Sequence, residues 1–216
     1  MLLEKVIVYI TVKEKKTVQP IPERSIINQM EGLEEAKKRN KKIPITEVAI
    51  QKVRKVSVPG FTEAQNANLL NEHRRLLEYA LRRNNSNEVM GITSLDFDGT
   101  LYGLGTEEFV AMTPQMESYR LHLSNGSGII IHNHPATRTF SMMDLGYFIS
   151  KPQIGIITIV SNQGNVHILS KQAGFNRANC IGYLLQLRTK YNDDFDTIVK
   201  EFLKTCGKVG IVYVRS

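Results

Sequence analysis

The stretch Gly128-Ile129-Ile130-Ile131-His132-Asn133-His134-Pro135 joins an apolar run of three isoleucines to a pair of imidazoles. A short continuous run of β-branched residues reads as a buried strand. Asn125-Gly126 immediately before it breaks whatever precedes and fixes where the strand begins. Side chains two positions apart on a strand point the same way, so His132 and His134 can both reach one metal ion.

Working outward, Thr113-Pro114 is a cap and first-turn pair for a helix through about Leu123. Further upstream, Pro59-Gly60 punctuates the chain. Thr62 then caps a helix whose apolar positions Leu69, Leu70, His73, Leu76, Leu77, Ala80 and Leu81 follow helical spacing, and Asn84-Asn85 ends it. Residues 88–95 read as a strand, Asp98-Gly99 as a hairpin turn, 100–104 as its return, and 108–112 as a third strand. Downstream, Ser141 opens a short helix, and 154–161 with 166–170 form a hairpin about Gln163-Gly164. Helices are expected over 177–190 and 194–206, and a last strand over 210–215. Hairpins with intervening helices make this an α/β chain, a mixed sheet packed by helices.

The composition is that of an ordinary globular protein, with 216 residues of which 42% are hydrophobic. No apolar run approaches the ~20 residues needed to span a bilayer, and residues 6–12 are too short and too closely flanked by charge for an export signal. Cys180 and Cys206 stand far apart with no metal or redox spacing. A cytoplasmic protein without membrane association is therefore expected. Residues 1–60 carry 13 Lys and Arg against 7 Glu, which is +6 of the total net charge of +7. They are read as a basic N-terminal extension, with a strand over 5–12 and a helix over 26–39, ahead of a domain spanning 61–216. The run Lys37, Lys38, Arg39, Lys41, Lys42 could meet phosphates. A solvated helix end is the preferred reading, because no aromatic residues are interleaved as stacking platforms.

Ten positions after His134 comes Asp144, in the first turn of the helix that Ser141 opens, where it can swing towards the two imidazoles. Two His and one Asp leave a fourth tetrahedral position for water, the open arrangement of a catalytic zinc. Zinc lowers the pKa of bound water to about 7, and a carboxylate outside the ligand set must still carry the proton. Glu88, at the start of a strand after an amphipathic helix, is the candidate, with Glu107 and Glu108 in reserve. Ser141 would donate a hydrogen bond to the developing oxyanion. Each piece also has a plainer reading. Ser141 with Asp144 is a capping-box-like helix start, and His132 with His134 alone is a polar strand end.

The five residues together resemble the JAMM or MPN-plus metalloproteases, whose pattern is a glutamate on an early strand, then His-x-His-Pro, then Ser-x-x-Asp. Here these are Glu88, His132-Asn133-His134-Pro135 and Ser141-Met142-Met143-Asp144. The tetrapeptide His-Asn-His-Pro looks most like the bacterial and mobile-element RadC-like branch, and the resemblance covers about residues 61–170. It implies a JAB/MPN-like fold holding one zinc on His132, His134 and Asp144, with Glu88 as acid/base and Ser141 as oxyanion donor. The implied reaction is hydrolysis of an amide, in a polypeptide or a ubiquitin-like conjugate. In the family seven residues usually separate the second histidine from the serine; here there are six, 135–140.

Two other readings compete. A RadC-like, nucleic-acid-associated factor would use the basic extension, and an idle MPN-type scaffold would keep the fold without the chemistry; retention of every ligand residue speaks against the latter. His73 on an apolar helix stripe, His122 near a helix end and His167 on a strand behind the site are expected to be packing or surface residues. Arg138 and Thr139 in the loop between ligands could touch substrate. Asp96-Phe97-Asp98-Gly99-Thr100 is read as turn chemistry.

Overall fold

Two strands without a single exposed residue form the middle of the sheet, Gly128–His134 and Ile154–Ser161. Strands buried on both faces along their whole length need helices on both sides, and that requirement organises the rest of the chain. The computed structural model describes residues 42–136 and 139–216. The strand expected over 5–12, the helix expected over 26–39 and Arg138 lie outside the described residues.

In chain order the elements are α1 Glu47–Lys52, α2 Glu63–Arg83, β1 Val89–Ser94, β2 Leu101–Leu104, α3 Pro114–His122, β3 Gly128–His134, α4 Met142–Ser150, β4 Ile154–Ser161, β5 Val166–Lys171, α5 Arg177–Lys190, α6 Phe195–Thr205, a 3-10 turn Cys206–Val209, and β6 Ile211–Arg215. The described strands make one six-stranded sheet in the order β2-β1-β3-β4-β5-β6. Only β3 and β4 are parallel; every other neighbouring pair is antiparallel. The fold class is thus a mixed α/β sheet packed by helices.

Helix α2 starts as its sequence dictates. Thr62 accepts from the Gln65 N–H while the Gln65 side chain returns a bond to the Thr62 N–H, closing a capping box. Its apolar stripe, Leu69, Leu76, Leu77 and Ala80, packs on Ile129, Ile131, Ile156, Val160 and Ile168, one face of the sheet. The opposite face, with Ile130, Ile157, Ile159 and Leu169, lies under α4, α5 and α6 through Phe148, Leu184 and Phe202. Alternation along β3 therefore sends Ile130, His132 and His134 to the α4 side. Near the start of β4 the register slips by one residue, and Gly155 fills the slip because a Cβ there would collide with the Gly126 carbonyl.

Two expectations are corrected. Residues 45–58, assigned to the extension, belong to the packed body: Ile45, Ile50, Val53, Val56 and Val58 are buried in the cluster on the α2 face of the sheet. Their apolar positions alternate with Lys and Arg, so the charge of the stretch masked its hydrophobic side. The strand expected over 108–112 does not form. Thr106 N–H bonds to the Phe109 carbonyl at 2.8 Å, which closes a turn and takes up groups a ladder would have needed. Glu107 and Glu108 are exposed there.

Candidate metal centre

His132 and His134 end β3 at the C-terminal edge of the parallel pair, where open α/β sheets commonly place their sites. The chain then crosses to α4, whose first turn returns Asp144 to the same edge. The N-cap of α4 is Ser141: its Oγ accepts from the Asp144 N–H at 3.1 Å and donates to Asp144 Oδ2 at 2.8 Å. The Ser141 N–H donates to Oδ2 at 2.6 Å. The capping box and the site are thus one object, and the helix cap aims the carboxylate. Asp144 stands beside the two imidazoles although only six residues, 135–140, separate His134 from Ser141.

The Nε2 atoms of His132 and His134 lie 3.1 Å apart. Asp144 Oδ1 is 3.2 Å from His132 Nε2, and Oδ2 is 3.6 Å from His134 Nε2. A tetrahedral ion with metal–donor distances of about 2.0–2.1 Å has donor–donor edges of about 3.3 Å. The three side chains therefore stand at ligand spacing, and they could hold a metal ion. Both histidines are buried, and His132 engages through Nε2 alone, its Nδ1 having no hydrogen-bond partner.

Glu88 arrives from a different part of the chain. Strands β1 and β3 are antiparallel with Met90 opposite His132, so the start of β1 runs beside the end of β3, and Glu88, one residue before β1, falls next to His134. Its Oε1 is 3.7 Å from His134 Nε2. Burial pushes the Glu88 carboxyl up to about 8; the charge of His132 opposes this, and those of Asp144 and Glu108 add to it. Burial would raise Asp144 too, but the charge and hydrogen bond of His132, joined by His134, hold it well below the usual carboxylate range. In His132 burial favours the neutral ring, and the facing Asp144 outweighs it, so its pKa is raised.

The other candidates sit elsewhere. Glu107 is exposed and paired with Lys42 at 3.0 Å, and Glu108 is exposed near Glu88, which leaves Glu88 as the buried carboxylate. His73 is buried in the core with Nε2 2.9 Å from Thr158 Oγ1. His122 is exposed with Nδ1 on the Ser118 carbonyl. His167, two strands from His132, meets the Tyr213 hydroxyl at 2.7 Å. Asp98 accepts from Ser94 Oγ inside the β1–β2 turn. Among the described residues, His132, His134 and Asp144 are the one group arranged as ligands. No described helix is long and apolar enough to cross a membrane.

Sequence reasoning passed over Asn133. Its side chain accepts from the Val89 N–H at 2.7 Å and donates to the Asn87 carbonyl and to Asn162 Oδ1. Asn162 in turn donates to the Ile43 and Ser86 carbonyls. A fully buried amide in an isoleucine strand is costly unless bonded, and that is the signal that could have flagged it.

No protein-family model, no curated protein and no solved structure matches this chain. The geometry of the site must therefore carry its interpretation.

Proposed function

We propose that the protein is a zinc-dependent hydrolase that cleaves amide bonds in polypeptides, with His132, His134 and Asp144 holding the metal. One observation carries this reading: three ligand atoms at tetrahedral spacing, with a buried carboxyl outside the set 3.7 Å from one of them. A structural zinc would be closed by a fourth protein ligand, whereas among the described residues this donor set has three.

A bound divalent ion supplies Lewis-acid polarisation of a carbonyl oxygen and makes water a nucleophile near neutral pH. The chain's own residues do the rest. Glu88 Oε1 accepts a proton and passes it to the leaving nitrogen; burial, which raises its carboxyl, makes it a stronger base than an exposed glutamate. Ser141 Oγ turns from Asp144 Oδ2 to donate to the oxygen that gains charge. The resemblance to the JAMM pattern supports the same assignment residue by residue.

The test is elemental analysis of the purified protein beside His134→Ala and Asp144→Ala, followed by a quenched-fluorescent peptide panel on the parent and Glu88→Gln. About one zinc per chain in the parent and none in the two ligand variants is expected. Glu88→Gln should keep its zinc and lose about 100-fold or more of the peptidase rate. A well-folded parent that takes up no metal from added zinc overturns the proposal, and full activity in Glu88→Gln overturns the role of Glu88.

A further inference from the structure

The ladder between β1 and β3 stops at Met90 opposite His132. One residue further out, the Val89 N–H is taken by the side-chain Oδ1 of Asn133, at 2.7 Å. Glu88 turns its main chain the other way: its N–H donates to the Thr106 carbonyl and its carbonyl accepts from the Gly105 N–H, both at 2.8 Å. The Asn133 amide thus sits where the two strands part. It also donates to the Asn87 carbonyl at 3.1 Å, so it holds the residues on either side of Glu88. Its second donor bond, to Asn162 Oδ1 at 2.8 Å, fixes which way the amide faces.

We infer that Asn133 is a positioning residue, which sets the Glu88 carboxyl beside the metal ligands by gripping the main chain at residues 87 and 89. The inference rests on the proposed role of Glu88. Asn133 itself cannot be a ligand, since alternation along β3 points its side chain away from the face that carries His132 and His134. Its contribution is geometric. Three hydrogen bonds, all to partners fixed in the fold, leave the backbone on both sides of Glu88 little freedom, and a carboxyl displaced by about 1 Å loses most of its value as a proton carrier.

The metal and a small chelating probe can test this without a substrate. Cobalt(II) reports on the ligands through its visible absorption. Acetohydroxamate, added to the cobalt form, chelates the ion through its two oxygens. The proton released from the N–OH of the parent acid passes to a neighbouring carboxylate, which then donates a hydrogen bond back to the chelated oxygen. Glu88→Gln is expected to weaken acetohydroxamate about tenfold, the loss of one charge-assisted hydrogen bond. Asn133→Ala should weaken it to the same degree, and the double variant no further, because both remove one interaction. Cobalt uptake should be unchanged in all three. Asn133→Ser, whose shorter uncharged hydroxyl cannot span the Val89 N–H and the Asn87 carbonyl, should weaken acetohydroxamate likewise, and it serves if Asn133→Ala does not fold. Asn162→Ala removes one of the three Asn133 bonds and neither of those at residues 87 and 89, so it should lower thermal stability and cost acetohydroxamate binding clearly less than Asn133→Ala does.

Full acetohydroxamate affinity in Asn133→Ala overturns the inference while the metal reading stands. So do equal losses in Asn133→Ala and Asn162→Ala, which would mean general loosening. A parent that binds no cobalt overturns both.

Discussion

His73 offers a quantitative test of how the core is built. It sits 2% exposed under the sheet, with Nε2 on Thr158 Oγ1, and burial pushes its pKa from 6.5 down to about 3. In the unfolded chain the same ring titrates near 6.5. Between these values the unfolded state binds the proton and the folded state does not, so protonation favours unfolding. The stability from keeping His73 neutral is full above about pH 6.5 and is lost progressively as pH falls towards 3. From pH 7 to pH 5 the loss amounts to about 2 kcal/mol, at 1.36 kcal/mol per unit. Replacing both partners, as His73→Leu with Thr158→Val, removes the titration without stranding a hydroxyl. Urea unfolding of the metal-free proteins, followed by circular dichroism at pH 7 and pH 5, isolates the effect, because every other titrating group contributes to both. The parent should lose about 2 kcal/mol more than the double variant between the two pH values. Equal losses would refute the argument and mean that His73 is hydrated or charged in the folded protein.

Two further outcomes follow from the packing. Ser141→Ala removes the α4 cap and a bond that aims Asp144, so it should cost about 1 kcal/mol in chemical denaturation and weaken zinc binding in a competition titration with a chelator; unchanged zinc affinity would show that Asp144 is aimed by something else. A chain beginning at Phe61 lacks the buried Ile45, Ile50, Val53, Val56 and Val58. At about 1.5–3 kcal/mol for each buried side chain, the loss is about 7–15 kcal/mol, comparable with the whole stability of a domain. It should show no cooperative unfolding transition in calorimetry.

Much of the architecture was legible locally. Helix α2 runs from the cap at Thr62 to the stop at Asn84, as its capping residues and apolar stripe require, and α3 begins at Thr113-Pro114. Strands β3 to β5 fall where continuous β-branched runs stand. These features depend on neighbours within a few residues, which pattern reading sees. Four of the candidate site residues were legible for the same reason, since His132, His134, Ser141 and Asp144 are each set by spacing along a strand or a helix turn.

Other features were decided only when distant segments met. The Glu88 position depends on the antiparallel register of β1 against β3, a pairing over some forty residues, and the strand start that favours Glu88 over Glu107 or Glu108 in the sequence does not by itself place it beside the imidazoles. Burial separates them: Glu88 lies inside with its carboxyl raised, and the other two face solvent. The same holds for residues 45–58, whose valines and isoleucines look like part of a charged tail until a sheet face is there to receive them. Asn133 is the clearest instance. In the sequence it is a spacer between two histidines, and in the fold its amide bridges two strands and a loop. Hydrogen-bond partners far apart in the chain are chosen by tertiary packing, because a buried amide bonds to whatever main chain the fold brings within reach.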